Sequence, residues 1–342
     1  MESRQPNPNQ EMVTTFTGES NHIAQEGGLV PLDPADLPPL TTLAKCTTAN
    51  IGTVPLRSPF RYPGGKTWMV PKVRSWLASL PQKPAFFIEP YCGGGIVGLT
   101  VAFEGMADHV ILAEKDENIA AVWETILIGD IDWLTNRISK FDVTFETVTK
   151  ILASKPRLIK TQAFKTIVTN RVRHGGVMAP GAGILKNGEN GKGLRSRWYP
   201  QTLINRMRNI RAIADRITFI HGDAMAVLHK YHQAMDVAWF IDPPYTAPGK
   251  RAGVRLYQYN EIDHNALFAA METIKGQFMA TYDNAEMIHN LAAQHRLDTA
   301  TVTMKNTHHE RLTELVIGRD LNWVQTPTIE NVETDATEYV PV

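Results

Sequence analysis

The stretch VAWFIDPPY, residues 237 to 245, is an apolar run that stops at a double proline. It predicts a buried strand followed by a rigid loop, because proline lacks the N–H that a sheet needs and disfavours helix before it. In that loop Asp242 offers carboxylate oxygens, Pro243 offers a carbonyl and Tyr245 offers an aromatic face. A ring with an amino group could donate to both acceptors and stack on Tyr245. An ordinary strand and turn is the alternative.

Strand and helix patterns alternate on both sides of this loop. Strands are predicted at residues 85–88, 109–113, 217–221, 237–241 and 277–280. Helices are predicted at residues 96–104 and 117–127. Such alternation implies right-handed crossovers and a mainly parallel sheet that is covered by helices on both faces.

The domain organisation follows from changes in composition along the chain. Residues 1–55 are polar and proline-rich, which predicts a largely disordered extension. Residues 56–133 and 217–323 are predicted to form one α/β domain, and residues 134–216 a helical subdomain inserted into it. A long crossover of the main domain is the alternative for that insertion. Residues 324–342 are predicted to be a flexible acidic tail.

The predicted insertion is strongly basic although the whole chain has a net charge of zero. Residues 134–216 carry 17 Lys or Arg and four Asp or Glu. They contain predicted helices at 151–169 and 200–214, and a glycine-rich segment at 175–193 that we expect to be mobile. A basic surface of this kind attracts a polyanion and favours nucleic acid as the partner. A solvated face with scattered lysines is the alternative.

Other classes of protein fit the composition poorly. The only cysteines, Cys46 and Cys92, are too few for a disulfide scaffold and have no metal-ligand spacing. Histidines at 289, 295, 308 and 309 lack suitably spaced carboxylate or cysteine partners, so we predict no metal site. No stretch approaches the roughly 20 apolar residues of a membrane span. We therefore expect a cytoplasmic protein without a membrane partner.

The glycine-rich sequence EPYCGGG, residues 89–95, lies between the first predicted strand and its helix. Ligands of open α/β sheets bind outside the carboxyl ends of the strands, which is where this loop is expected. Its spacing is neither that of a dinucleotide fingerprint nor that of a Walker phosphate loop. The loop therefore favours a site for a nucleoside that lacks a pyrophosphate. It argues against an enzyme that hydrolyses nucleotides. A structural turn is the alternative.

Acidic residues follow the second and third predicted strands. Glu114 at the tip of the second strand could accept hydrogen bonds from two ribose hydroxyls, or it could be a surface carboxylate. Asp116 is an alternative for the same role. Asp223 could meet an adenine edge or cap the next helix. Upstream, RYPGGK at residues 61–66 places an aromatic ring and an ammonium around a bend, which suits contact with a cation or a carboxylate. A plain turn is the alternative.

Taken in order, these motifs resemble the Dam-like family of DNA N6-adenine methyltransferases over residues 59 to 318. The matching segments are YPGGK (62–66), EPYCGGG (89–95), Glu114, DPPY (242–245), TYDN (281–284) and TELV (313–316). NRVR (170–173) and RWYPQTL (197–203) resemble the family's target-reading region. Three features depart from the family pattern: Glu114 is commonly Asp, Tyr62 is often Trp, and the glycine-rich loop is longer.

The resemblance implies a Rossmann-like methyltransferase fold, with a mainly parallel seven-stranded sheet, helices on both faces and a helical target-recognition insertion. It also implies transfer of a methyl group from S-adenosylmethionine to N6 of an adenine that is flipped out of double-stranded DNA. No metal is implied. The alternatives are N4-cytosine methylation, since cytosine presents the same two donors, and a catalytically silent DNA-binding module.

The resemblance to the family implies roles for specific residues of this sequence. The candidate catalytic residues are Asp242, Pro243, Pro244 and Tyr245. The candidate cofactor-binding residues are Tyr62, Lys66, Glu89, Gly93, Gly95, Glu114 and Asp223. The candidate DNA-binding residues are Arg171, Arg173, Arg195 and Arg197. The expected partner is double-stranded DNA in a bacterial or phage-encoded setting, with or without a cognate nuclease.

Overall fold

A computed structural model describes residues 54–62, 64–179, 181–188, 191–244, 262–305 and 311–324. Nearly all of the predicted N-terminal extension and of the acidic tail lies outside the described residues. So do Tyr245, His308 and His309. The predictions for those segments stay predictions.

Seven strands of the described residues form one sheet. The strands are β1 (Phe86–Glu89), β2 (His109–Glu114), β3 (Ile217–His221), β4 (Val237–Ile241), β5 (Gln277–Asp283), β6 (Asp298–Lys305) and β7 (Arg311–Gly318). Their order is β3-β2-β1-β4-β5-β7-β6. Only the pairings that involve β7 are antiparallel. The predicted Rossmann-like methyltransferase fold, with its mainly parallel seven-stranded sheet, is confirmed.

The neighbours of β1 explain where a ligand site can form. In β1, Phe87 pairs with Val110 of β2 on one side and with Ala238 of β4 on the other. The chain winds outward from β1 in one direction to β3 and then returns to continue through β4 in the other direction. The loops after β1 and β4 therefore diverge to opposite faces and leave a crevice between them at the carboxyl ends of the strands.

Helices cover both faces of the sheet. They are α1 (Val70–Ser79), α2 (Ile96–Glu104), α3 (Glu117–Leu127), α4 (Ile131–Ser139), α5 (Phe145–Ala153), α6 (Ile159–Val172), α7 (Pro200–Arg211), α8 (Ala224–Tyr231), α9 (His264–Thr273) and α10 (Glu286–Gln294). The first seven share a hydrophobic cluster with Phe240 of β4, whereas α8 to α10 share another with Trp239. A strand buried on both faces is apolar throughout, which is why β4 has no polar alternation.

The predicted helix at 151–169 is wrong as a single element. Helix α5 ends at Ala153 and α6 begins at Ile159. The segment between them contains Pro156, which cannot donate the backbone hydrogen bond of a helix interior. Helical spacing of the apolar residues on both sides of this break made the two helices look continuous.

The basic segment does not have a core of its own. Phe164 and Ile167 of α6 and Leu203 and Met207 of α7 belong to the same hydrophobic cluster as Trp123 of α3. Helices α4 to α7 therefore extend the core on one face of the sheet. The assignment of residues 134–216 as a target-recognition subdomain stays a prediction.

No helix among the described residues is long and apolar enough to cross a membrane. Within the same residues, no group of three or more His, Cys, Asp or Glu side chains is arranged to hold a metal ion.

Candidate active site

A cavity of about 1420 Å³ lies at the carboxyl ends of β1, β2 and β4. Three predicted motifs contribute to its wall: the bend at residues 93–95, the acidic residues Glu114 and Asp116, and the prolines at 243–244. Tyr62, Lys66, Glu89, Asp223 and Asp242 line the same cavity. The fold therefore brings together the predicted cofactor-binding residues and the described part of the DPPY motif.

The glycine bend is held between two aromatic rings. Gly93 and Gly95 have positive φ angles of 46° and 62°. A Cβ atom on Gly93 would lie 2.6 Å from Cε1 of Tyr62, and one on Gly95 would lie 2.8 Å from Cζ2 of Trp123. The indole Nε1 of Trp123 donates to the Gly93 carbonyl at 3.0 Å. Glycine is needed here both for conformation and for space.

Trp123 was not anticipated as part of the site. It is fully buried in α3. The sequence offered only one signal, an aromatic residue on the buried face of the helix that follows Glu114. Such a residue is ordinary in a core, so its contact with the glycine bend is visible only in the folded chain.

Glu114 connects the second strand to the glycine bend. Its Oε2 accepts from the N–H of Gly93 at 2.9 Å, and its Oε1 accepts from the N–H groups of Lys115 and Asp116, both at 2.9 Å. Burial raises the pKa of Glu114 to about 7, against the opposing effect of these N–H groups. Asp116, the alternative for the same role, caps α3 by accepting from the N–H of Asn118. Glu114 is therefore the better placed carboxylate.

Glu89 at the end of β1 is buried, and its Oε2 accepts from the N–H of Gly98 at 2.7 Å. Burial raises the pKa of Glu89 to about 8, partly offset by the Gly98 hydrogen bond. The value of about 8 also includes smaller opposing effects, since the Asp242 carboxylate raises the pKa and Lys66 lowers it. Glu89 is therefore mostly protonated at neutral pH, and a proton on this side chain reduces the negative charge beside Asp242.

We expect Glu89→Gln to remove a pH dependence of stability. Between the ordinary pKa of a glutamate and about 8, the folded state holds one more proton than the unfolded state. Stability therefore falls as pH rises through that window, by about 1.4 kcal/mol per unit. Urea unfolding at pH 5 to 8 should show the fall in the parent protein and a flatter profile in Glu89→Gln. Parallel profiles would contradict the assignment.

Asp242 is fixed by two neighbours. Its Oδ1 accepts from the Thr281 hydroxyl at 2.7 Å and lies 2.8 Å from Nζ of Lys66. Lys66 Nζ also lies 3.0 Å from Oε1 of Glu314, a buried residue of β7. Burial alone would lower the pKa of Lys66, but the two carboxylates outweigh it and raise that pKa above its usual value.

This network changes the interpretation of Lys66. The sequence predicted a cofactor contact, whereas the described structure shows an ion pair with the candidate catalytic carboxylate. Thr281 and Glu314 lie in the TYDN and TELV segments, for which the sequence suggested only closing strands. Pairing of β5 with β7 places these two segments side by side. Their contribution to the Asp242 network depends on that pairing and carries no local sequence signal.

Of the two roles considered for Asp223 from the sequence, the structure shows the helix cap. Its Oδ1 accepts from the N–H of Met225 at 2.8 Å and caps α8. Its Oδ2 pairs with Lys115 at 2.9 Å, which lowers the pKa of Asp223. It also lines the cavity, so contact with a ligand stays a prediction.

The candidate DNA-binding arginines have different environments. Arg171 is only 5% exposed, and its Nη2 donates to the Pro59 carbonyl at 2.6 Å. Arg173 donates to the carbonyls of Met178 and Ala179 at 3.0 and 3.1 Å. Both guanidinium groups donate to backbone carbonyls, and their contacts with DNA stay predictions.

Arg195 and Arg197 lie in a short 3-10 turn, Gly193–Arg197. Arg195 is exposed, donates from Nε to the Val143 carbonyl at 3.1 Å and pairs with Asp142. Arg197 is partly exposed. Both could reach a partner at the surface, so their DNA contacts stay predictions.

The chain matches no family model and no curated protein. Solved structures resemble it at low scores. A candidate RNA methyltransferase from Pyrococcus horikoshii has 10% identity and a TM-score of 0.33, with 76% of this chain and 84% of that chain covered. Precorrin-6y C5,15-methyltransferase from Geobacter metallireducens has 8% identity and a TM-score of 0.30, with 72% and 85% covered.

Proposed function

We propose that this protein is an S-adenosylmethionine-dependent methyltransferase that methylates N6 of adenine in double-stranded DNA after base flipping. The observation that carries the proposal is the position of Asp242. Its carboxylate is anchored through Oδ1 by Lys66 and Thr281, in a cavity that also contains the glycine bend and Glu114. A fixed acceptor beside a nucleoside-sized site is the arrangement that an amino-directed methyl transfer requires.

The residues on the β1 and β2 side of the cavity fit the proposed cofactor. Glu114 is a carboxylate acceptor at the tip of β2, where ribose hydroxyls bind in related sheet topologies. The cavity volume of about 1420 Å³ exceeds that of a typical site for one small ligand, which leaves room for a flipped base as well. Bound S-adenosylmethionine would supply an electrophilic methyl group on a good leaving group. Alignment of the acceptor nitrogen is then the main task of the protein.

Asp242 and the Pro243 carbonyl would accept the two protons of an exocyclic amino group. Both are acceptors, so they favour a base with an amino group over one that presents a carbonyl oxygen at the same place. Tyr245 would stack on the flipped ring and offset part of the cost of unstacking it, a few kcal/mol. The basic segment 134–216 supports a polyanionic substrate.

Cytosine N4 is the second candidate acceptor because it presents the same two donors. We favour adenine because the first residue of the tetrapeptide is Asp, as in the N6-adenine enzymes that the sequence resembles. The test is to incubate the protein with labelled S-adenosylmethionine and plasmid DNA and to digest the DNA to nucleosides. Label in N6-methyladenine supports the proposal, label in N4-methylcytosine selects the second candidate, and no label supports a DNA-binding module.

We expect Glu114→Ala to weaken cofactor binding. Charge-assisted hydrogen bonds contribute about 1.5–3 kcal/mol, so the loss should be roughly 10- to 100-fold in Kd. Glu114→Asp keeps the carboxylate and should retain most of the affinity. Calorimetric titration with S-adenosylmethionine measures all three proteins. Equal affinity of Glu114→Ala and the parent would remove Glu114 from the cofactor site.

A further inference from the structure

Three arginines line one part of the cavity wall: Arg61, Arg171 and Arg206. Arg61 precedes the YPGGK motif, Arg171 is in α6 and Arg206 is in α7. The wall therefore combines residues from three segments that are distant in sequence. Arg61 and Arg206 were not among the candidate DNA-binding residues.

Two of the three arginines, Arg171 and Arg206, are held by backbone carbonyl groups. Nη2 of Arg171 donates to the carbonyl of Pro59 at 2.6 Å, and Nη1 of Arg206 donates to that of Ser58 at 3.1 Å. In the part of the chain that the structure describes, neither Arg171 nor Arg206 pairs with a carboxylate. Carbonyl groups orient a guanidinium but do not neutralise its charge.

The positive charges of Arg61, Arg171 and Arg206 repel one another, and a bound anion would relieve this repulsion. Burial, together with the charges of Arg206 and Arg61, lowers the pKa of Arg171 to about 9. Arg171 is only 5% exposed, and its buried Nε has no hydrogen-bond partner among the described residues. Like charges close together with an unsatisfied donor are characteristic of an anion-binding site.

We propose that Arg61, Arg171 and Arg206 form a binding site for one phosphate group of the polynucleotide that carries the target base. This inference rests on the proposed function, because it assumes a nucleic-acid substrate in the same cavity. A phosphate oxygen pair matches the planar fork of a guanidinium. Tyr199 and Thr202, both exposed, belong to the same wall and lie at the start of α7. The site therefore opens toward the basic helical segment.

A bound phosphate here would also position the target nucleotide. The carbonyl groups that hold Arg171 and Arg206 belong to residues 58–59, and the Ser58 hydroxyl donates to the Gly94 carbonyl at 2.5 Å. The Asn170 side chain bonds both the N–H and the carbonyl of Arg61 at 2.9 Å. The same short segment thus contacts the phosphate site and the glycine bend, which keeps the substrate strand in register with the cofactor side of the cavity.

The test measures DNA binding without methyl transfer. Fluorescence anisotropy with a labelled duplex gives log K against log salt for the parent, Arg206→Gln, Arg206→Lys and Arg208→Gln. Arg208 is exposed on the same helix and does not line the cavity, so it controls for the loss of one charge. We expect Arg206→Gln to reduce the magnitude of the salt slope by about 0.9, as the loss of one phosphate contact predicts. Arg206→Lys should stay close to the parent, and Arg208→Gln should change the slope less.

A second measurement uses the parent protein and modified DNA, so it does not depend on the folding of a variant. Neutral methylphosphonates replace the phosphates of the target strand one at a time. One position should weaken binding to the parent by about tenfold and to Arg206→Gln much less, because the two changes remove the same contact. Equal losses in both proteins at every position would overturn the phosphate site.

Two other results would also overturn it. If Arg206→Gln kept the parent salt slope but lost affinity for S-adenosylmethionine, the arginines would bind the carboxylate of the cofactor. That result would not contradict the proposed methylation of DNA. A parent protein without affinity for DNA would overturn the phosphate site together with the proposed function.

Discussion

Asp242→Ala is expected to lower the rate of DNA methylation by at least about 10³-fold, equivalent to roughly 4 kcal/mol of transition-state stabilisation. The Asp242 carboxylate is the charged acceptor at the end of β4, and its anchored Oδ1 restricts the direction of the remaining oxygen. Removing it takes away the group that orients the amino nitrogen. Single-turnover methylation with a saturating duplex measures the effect directly.

Two matched variants separate chemistry from folding. Asp242→Asn keeps the size of the side chain but replaces one acceptor oxygen with a donor, so it should be nearly as slow as Asp242→Ala. Thr281→Val removes only the hydroxyl that donates to Oδ1 and should slow the reaction by about tenfold, the scale of one hydrogen bond. Cofactor affinity should change little in all three. Methylation by Asp242→Ala at the parent rate would show that the site is misassigned.

Lys66→Met is expected to destabilise the protein by about 3–5 kcal/mol. Lys66 is 6% exposed and Glu314 is 4% exposed, and the ammonium lies between the carboxylates of Glu314 and Asp242. Its removal leaves buried negative charge without a counter-ion, which is the costly way to break a buried ion pair. Urea unfolding at neutral pH gives the change in the free energy of unfolding.

The double variant Lys66→Met, Glu314→Gln provides the control. Glu314→Gln keeps the shape of the side chain and removes one of the two uncompensated charges, so the double variant should be more stable than Lys66→Met alone. A cofactor titration on the same proteins distinguishes the two interpretations of Lys66. If Lys66→Met were as stable as the parent and bound S-adenosylmethionine much more weakly, the lysine would be a cofactor ligand, as the sequence suggested.

Local patterns in the sequence were sufficient for most elements near the site. The predicted helices at 96–104 and 117–127 coincide with α2 and α3, and the predicted strand at 237–241 coincides with β4. Each of these segments has its own periodicity and is bounded by glycine, aspartate or proline. The prediction failed for α5 and α6, where apolar spacing on both sides of Pro156 outweighed the local break.

The order of the strands determines which loops meet at the site, but it does not determine which side chains are in contact there. Because β1, β2 and β4 are parallel neighbours, the loops that follow them had to meet at one edge, and the glycine bend, Glu114 and Asp242 do line one cavity. The identity of the partners inside that cavity was not predictable. Neither the packing of Trp123 against Gly95 nor the approach of Glu314 to Lys66 has a signal in nearby residues.

The sequence by itself determined the alternation of strands and helices, the loops that carry chemistry and the edge of the sheet at which they meet. Hydrophobic periodicity and turn residues are local properties, so they can be recognised before the chain folds. Only the tertiary structure decided that Lys66 pairs with Asp242, that Trp123 contacts the glycine bend, and that Arg61, Arg171 and Arg206 line the same cavity. Those contacts join segments distant in the chain, and their energies depend on burial and on neighbouring charges that exist only once the sheet is assembled.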